Sequence, residues 1–302
     1  MRAPTILKVS VVFSVLISAC GGSGASSETV ALKPKITISS TTDPTSELIA
    51  EIYGQALEKA EFRVARKQAF ATSAELMTAL TKGEVQLTGM TSQGLLRLVS
   101  GPGGTDTPVP NTTTLQAAAI AKALPSNLVM GAPTTAEDKD VVFCAKTFTD
   151  VNTIATLTDL GAKPGIATLA APDGFETSTP LGGKALSDTY KIDFKTIVAT
   201  VVAKTLDAVN AGTADCGVGR SGDPALSAAT IVVLQDDKAL VPNDVILPLV
   251  TTAAGTADVL STLDTVSAKL TTEALRTLMS RLTVDGATPE VVANEFTGNA
   301  GT

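Results

Sequence analysis

The sequence predicts an α/β protein of two lobes, each a mostly parallel sheet flanked by helices, with a ligand cleft between them. Three observations carry that expectation. Short apolar strands alternate with helical stripes, the pattern of parallel sheets covered on both faces. The alternation is written twice along the chain at near-matching spacing. And 302 residues, 44 % of them hydrophobic, are enough to bury a large core in one or two domains.

The elements follow in order. Arg2 and Lys8 make a basic start, and Val9–Ala19 follows without a charge. That run is about half the ~20 residues a membrane-spanning helix needs. A basic, then apolar, then small-residue order marks residues 1–19 as an export signal. Ile17-Ser18-Ala19-Cys20 resembles the bacterial lipobox, which implies a leader cut before Cys20 and a diacylated Cys20 sulfur. An ordinary secretory leader with a chance cysteine is the alternative. Acyl chains contribute ~0.8 kcal/mol per buried methylene, so two or three hold a protein on a membrane durably. The expectation is a chain lipid-anchored to the cell membrane on its extracytoplasmic face, with residues 20–34, rich in glycine and serine, as a flexible tether.

Beyond the tether, KITISS (Lys35–Ser40) reads as a strand. Asp43-Pro44-Thr45-Ser46 offers caps for a helix whose Leu48, Ile49, Ile52, Ala56 and Leu57 share one face. FRVARKQAF (Phe62–Phe70) is a second strand; LMTALTKGEVQLTGM (Leu76–Met90) is a helix, a glycine stop and a third strand. The second half repeats this with PGIATLAA (Pro164–Ala171), DFKTIVATV (Asp193–Val201) and TLDAVNAGTADCGVG (Thr205–Gly219). Gly83 and Gly212, 129 residues apart, both sit where a left-handed helix stop is wanted. Gly101–Thr114 is a proline- and glycine-rich loop, and Gly131–Asp140 reads as the first crossing between lobes. Ala228–Val250 holds two strand-like runs around a charged turn, Thr256–Leu282 is strongly helical, and a last helix lies near Thr288–Phe296. The simplest layout returns this tail to the first lobe. Lobe I is then 35–139 plus 245–302 and lobe II is 140–244.

Composition narrows the function. The net charge of −7 argues against nucleic acid as a partner. Histidine is absent, which removes Ser-His-Asp and Cys-His catalysis and imidazole metal sites together. No activated nucleophile or metal constellation is present, so no enzyme, no metal and no cofactor are expected. With Cys20 taken by lipid, Cys144 and Cys216 remain as a pair or as two unrelated buried thiols.

The run Ser46–Leu87 is similar to the start of osmoprotectant-type solute-binding proteins of ABC importers, the glycine betaine, choline and carnitine binders. The similarity resumes at APTTAEDKDVVFCAKTF, TYKIDFKTIV, GDPALSAATIVVLQDDKALVPNDVILPLV and LSTLDTVSAKLTTEALRTLMSRLTVDGATPEVVANEF, covering nearly all of Lys35–Phe296. The resemblance implies a type II periplasmic-binding-protein-like fold. It also implies a small-molecule ligand, a membrane permease as partner, and lipoprotein status in Gram-positive members. We expect a monomer. In that fold VVFCAK (Val141–Lys146) enters lobe II antiparallel to ADCGVG (Ala214–Gly219), which implies a Cys144–Cys216 bridge.

Ligands of open α/β sheets gather outside the carboxyl ends of the strands. Where the family shows Tyr-Pro-Glu-Tyr-Thr-Gly, this chain has Thr88, Gly89, Met90, Thr91, Ser92 and Gln93; where the family has Asn-Phe-Thr-Glu, it has Thr41-Thr42-Asp43-Pro44. Pro172–Gly183 also lacks the arginine often found there. Tyr53 falls mid-helix and Tyr190 in a turn, so no aromatic cage can be written. The expected ligand set is Ser40, Thr41, Thr42, Asp43, Thr88, Thr91, Ser92 and Gln93, with Ser39 beside them, from the first lobe. The second lobe offers Asp173, Phe175, Ser221 and Asp223, with Thr177 and Arg220 nearby. The carboxylates Asp43, Asp173 and Asp223 suit a cation by charge, or a helix cap. The function implied is delivery of a small polar solute, of the glycine betaine and choline type, to an ABC importer. The alternative is a binding lipoprotein of the same fold with a different polar ligand or a partner-interaction role.

Overall fold

A computed structural model of the chain describes residues 33–101 and 110–299. The leader, the lipobox, Cys20, the tether as far as residue 32, and residues 102–109 of the proline- and glycine-rich loop lie outside the described residues.

The first half runs β1 (Lys35–Ile38), α1 (Pro44–Lys59), β2 (Arg63–Arg66), α2 (Ser73–Thr81), β3 (Leu87–Thr91), α3 (Ser92–Ser100), α4 (Thr113–Ala123) and β4 (Leu128–Met130). The second runs β5 (Asp140–Ala145), α5 (Lys146–Asn152), α6 (Leu157–Gly161), β6 (Thr168–Ala171), α7 (Gly183–Tyr190), β7 (Thr196–Ala199), α8 (Thr205–Asn210), β8 (Cys216–Arg220) and β9 (Ile231–Val233). The tail adds β10 (Ile246–Thr251), α9 (Ala257–Ser267), α10 (Thr272–Thr283) and α11 (Pro289–Asn299).

Two five-stranded sheets result, ordered β2-β1-β3-β10-β4 and β7-β6-β8-β5-β9. They match strand for strand, because in each the fourth strand is antiparallel to both neighbours and is the first strand the chain forms after crossing into that sheet's half. The repeat read from the sequence is this correspondence. Gly83 (φ 73°) and Gly212 (φ 69°) both take the left-handed conformation that ends a helix and turns the chain into a central strand.

Both faces of each sheet are covered. Ile36, Ile38 and Leu87 pack against Leu48, Ile52 and Tyr53 of α1, Leu263 of α9 and Leu275 of α10. On the opposite face Leu247 and Leu249 meet Leu76 of α2, Leu95 of α3 and Ile120 of α4. In the second lobe Val142 and Leu169 pack with Leu157, Leu160 and Leu186, and Phe143 with Val209 and Ala214. Fully buried side chains of this kind are worth ~1.5–3 kcal/mol each. Threonine opens many of the helices: Thr72, Thr91, Thr112, Thr256 and Thr271 each accept a backbone N–H from the first turn.

Two expectations change. Thr256–Leu282 is two helices. The Leu270 carbonyl accepts from the Ala136 backbone N–H at 2.9 Å, and Thr271 caps the next helix, so the ladder stops and Leu270 turns into the core. Tyr190 is the last residue of α7, buried, with its hydroxyl donating to Asp236. The two strand-like runs of Ala228–Val250 serve different sheets: β9 joins the second beside β5, and β10 joins the first between β3 and β4.

Cys144 and Cys216 face one another in a non-hydrogen-bonded pair of β5 and β8, since the flanking bond runs from the Ala145 N–H to the Asp215 carbonyl. Such pairs bring Cα atoms closest together. The two are disulfide-bonded, with a Cα separation of 3.9 Å.

Candidate functional site

Two stretches of chain cross between the lobes and run beside each other. The Thr134 N–H donates to the Ile246 carbonyl at 2.7 Å and the Asp138 N–H to the Asp244 carbonyl at 3.0 Å. Ser221, just past β8, locks onto the first crossing. Its hydroxyl donates to the Glu137 carbonyl at 2.8 Å and accepts the Lys139 N–H at 3.0 Å. Arg276 of α10 donates to the Ser221 carbonyl at 2.6 Å, tying the first lobe to the same point.

Beside this hinge a cavity of about 190 Å³ opens at the carboxyl ends of β1 and β3. Its floor is apolar, made by Ile49, Leu76, Met90 and Ile246. Gly89 belongs to that floor because α1 lies on it: a Cβ there would meet Ile49 Cγ2 at 2.2 Å. The polar wall holds Thr41, Ser46 and Thr91, with the carboxylates of Asp43 and Asp138. Asp43 caps α1, its Oδ1 accepting the Ser46 N–H at 3.0 Å, and Ser46 Oγ accepts the Thr41 N–H at 3.0 Å. Among the described residues lining the cavity there is no aromatic ring and no basic side chain.

Charge concentrates at the hinge. Arg220 reaches Asp138 Oδ1 (3.3 Å), Asp140 Oδ1 (3.1 Å) and, at 4.0 Å, Asp244, and it donates to the Asp138 carbonyl. Burial works against its charge, but Asp138 and Asp140 more than offset this and hold the guanidinium above its ordinary pKa. Asp244 goes the other way. Burial pushes its carboxyl up, and the hydrogen bond from the Gln93 N–H and the pull of Arg220 do not fully reverse it.

Of the residues expected to meet ligand, the structure brings Thr41, Asp43 and Thr91 to the cavity wall. Others are spent on structure. Thr88 is fully buried on β3, its hydroxyl 3.4 Å from the Gly89 carbonyl. Ser92 donates to Gln116 Oε1 at 2.6 Å, and Gln93 donates through Nε2 to the Pro242 carbonyl at 3.0 Å, both buried. Ser40 is buried at the end of β1, and Ser39 donates to the carbonyls of Lys67 and Gln68. Thr42 is exposed. Phe175 is 4 % exposed and packs in the core of the second lobe, so its ring is unavailable to a ligand. Ser221 serves the hinge, and Asp223 caps the short 3-10 turn Pro224–Ser227 through the Ala225 N–H. Asp173 and Thr177 stand exposed beyond β6. Asp138, which sequence reading left in a linker, is the carboxylate it missed. Its only signal was its place at the end of the first crossing.

The family model for the substrate-binding domain of ABC-type glycine betaine transport systems, OpuAC, matches residues 34–299. The chain belongs to the OpuAC family. It therefore carries the solute-binding role for an ABC importer. Among solved structures it is similar to one of a glycine betaine/carnitine/choline ABC transporter (17 % identity, 88 % of this chain and 98 % of that one, TM-score 0.78). It is also similar to apo YehZ from Escherichia coli (18 %, 88 % and 99 %, 0.75). The lactococcal OpuAC in its closed, glycine betaine-bound form gives 15 % identity, 88 % and 95 % coverage and a TM-score of 0.50. No curated protein sequence matches the chain. At these identities the solved structures establish the two-lobed fold, and this chain's own residues define its cavity.

Proposed function

We propose that the chain is a lipid-anchored, monomeric extracytoplasmic receptor that captures a small polar solute and hands it to a membrane permease. The observation that carries this is the cavity at the carboxyl ends of β1 and β3, beside the two crossings, where a solute-binding lobe meets its ligand. We assign lobe I to residues 35–139 plus 245–302 and lobe II to residues 140–244. The first lobe binds through Thr41, Asp43, Ser46, Thr91 and Asp138. The second, through Asp173 and Thr177, closes over the solute. Closure draws its energy from contacts made only in the closed state.

Cys20 carries the anchor in this reading, and residues 21–34 give the lobes reach from the membrane. The lipid is tested by labelling cells with radioactive palmitate, where the Cys20→Ala chain should lose the label. The receptor role is tested by small-angle scattering with a growth-medium extract, which should contract the protein. A particle that keeps its dimensions, with no solute co-purifying by mass spectrometry, would overturn it.

The lack of rings at the cavity favours a different polar ligand over glycine betaine itself. Quaternary ammonium groups gain ~0.5–2 kcal/mol from each well-placed aromatic face, and this cavity wall offers carboxylates and hydroxyls instead.

A further inference from the structure

The same cavity says more about its ligand, on the condition that the receptor reading above holds. Its wall carries two carboxylates, Asp43 and Asp138, from elements far apart in sequence, and no base faces them from the lining. Each uses Oδ1 structurally, Asp43 for the Ser46 N–H and Asp138 for Arg220 and the Gly222 N–H, which leaves Oδ2 of each for a ligand. Arg220, the base that reaches Asp138, is itself shared with Asp140 and Asp244. Lys139 is likewise held, 2.8 Å from Glu137 and 3.1 Å from Asn243 Oδ1. A ligand carboxylate entering here would meet two negative groups and find both of these bases already paired.

Carboxylate oxygens reward N–H donors with short, directed, charge-assisted hydrogen bonds. A fully methylated nitrogen offers no such donor and depends on ring faces, which this lining lacks. Ser46 Oγ already accepts the Thr41 N–H, so its own proton is left to donate to a ligand oxygen. We infer that the cavity selects small organic cations that carry N–H donors and no carboxylate, of the protonated amino-alcohol kind, over betaines and quaternary amines.

Four probes separate the two requirements. Ethanolamine has N–H donors and no carboxylate, choline neither, glycine both, and glycine betaine a carboxylate alone. Titration calorimetry on the full chain in detergent should show ethanolamine binding best. Choline should bind about tenfold more weakly or worse, and glycine and glycine betaine more weakly still. Asp43→Asn keeps a good helix cap and Asp138→Asn keeps an acceptor for the Gly222 N–H, yet each should weaken ethanolamine about tenfold. Choline matching ethanolamine would overturn the N–H requirement, glycine betaine exceeding choline would overturn the exclusion of carboxylates, and silence across all four would overturn the class. None of these results removes the receptor role, which falls only if scattering shows no contraction with medium extract and no solute co-purifies.

Discussion

Asp138 and Arg220 form an ion pair across the hinge, with Nε 3.3 Å from Oδ1, joining the end of the first crossing to the end of β8. The Arg220 side chain is 44 % exposed and that of Asp138 25 %, so water screens the pair and its worth to global stability is ~0–1 kcal/mol. Its effect is geometric, since Arg220 also holds Asp140 and the Asp138 carbonyl. Arg220→Ala should therefore lower unfolding free energy in urea by no more than ~1 kcal/mol, while widening the interdomain distance distribution of the unliganded protein in scattering. A loss of several kcal/mol with an unchanged distribution would reverse that assignment.

The Cys144–Cys216 bridge spans 72 residues and ties the entry strand of the second lobe to its central one. A loop of that size is worth ~4 kcal/mol in the chain-entropy account, with measured losses typically 2–5 kcal/mol. The Cys144→Ser/Cys216→Ser chain should show that loss in guanidinium unfolding. Thiol titration of the denatured, unreduced parent should find neither of these two cysteines reactive.

Gly89→Ala places a methyl group 2.2 Å from Ile49 Cγ2 and 3.3 Å from Tyr53 Cε2. Both belong to α1, which has no room to retreat because Tyr53 is buried and held through its hydroxyl to Ser267 at 2.9 Å. Overpacking of this kind costs ~1–3 kcal/mol, measurable as a lowered melting temperature. The same shift of α1 should also weaken solute binding, as Ile49 forms part of the cavity floor.

Asp244 gives a pH signature. Its carboxyl titrates above its ordinary value in the folded protein because burial disfavours the charge. A raised folded pKa means that keeping Asp244 ionised costs stability above that pKa, and the cost fades as pH falls through it. Asp244→Asn keeps an oxygen for the Gln93 N–H, now 2.9 Å from Asp244 Oδ1, and removes the charge. The variant should melt higher than the parent near neutral pH, and the gap should narrow on acidification toward pH ~4. A gap that widens on acidification would contradict this account.

The strand-helix repeat was legible because local chemistry and tertiary role agree there. Periodicity marked α1, and Gly83 and Gly212 marked the turns into β3 and β8. The antiparallel partnership of β5 with β8 was implied by the family resemblance. The helix break at Leu270 did not, because it depends on Ala136, which lies far away in sequence. The site was harder for the same reason. Thr88, Ser92 and Gln93 sit at a strand end that points to a cleft, yet β10 and the Asp244 segment cover them. Phe175 follows β6 as a ligand residue would, but turns inward onto the second core. Asp138 faces the cavity only because its backbone pairs with the second crossing, a contact between segments some hundred residues apart.

The placement of β10 sets an order of assembly. Every strand of the second sheet lies between residues 140 and 233, so a nascent chain holds that sheet whole once residue 233 is free. The first sheet, begun a hundred residues earlier, still lacks the strand that belongs between β3 and β4. Until residue 251 arrives, β3 presents unpaired N–H and C=O groups to any passing strand, the usual starting point for aggregation. The amino-terminal lobe is thus the last to be finished, and its waiting edge is where a folding helper would have most to protect.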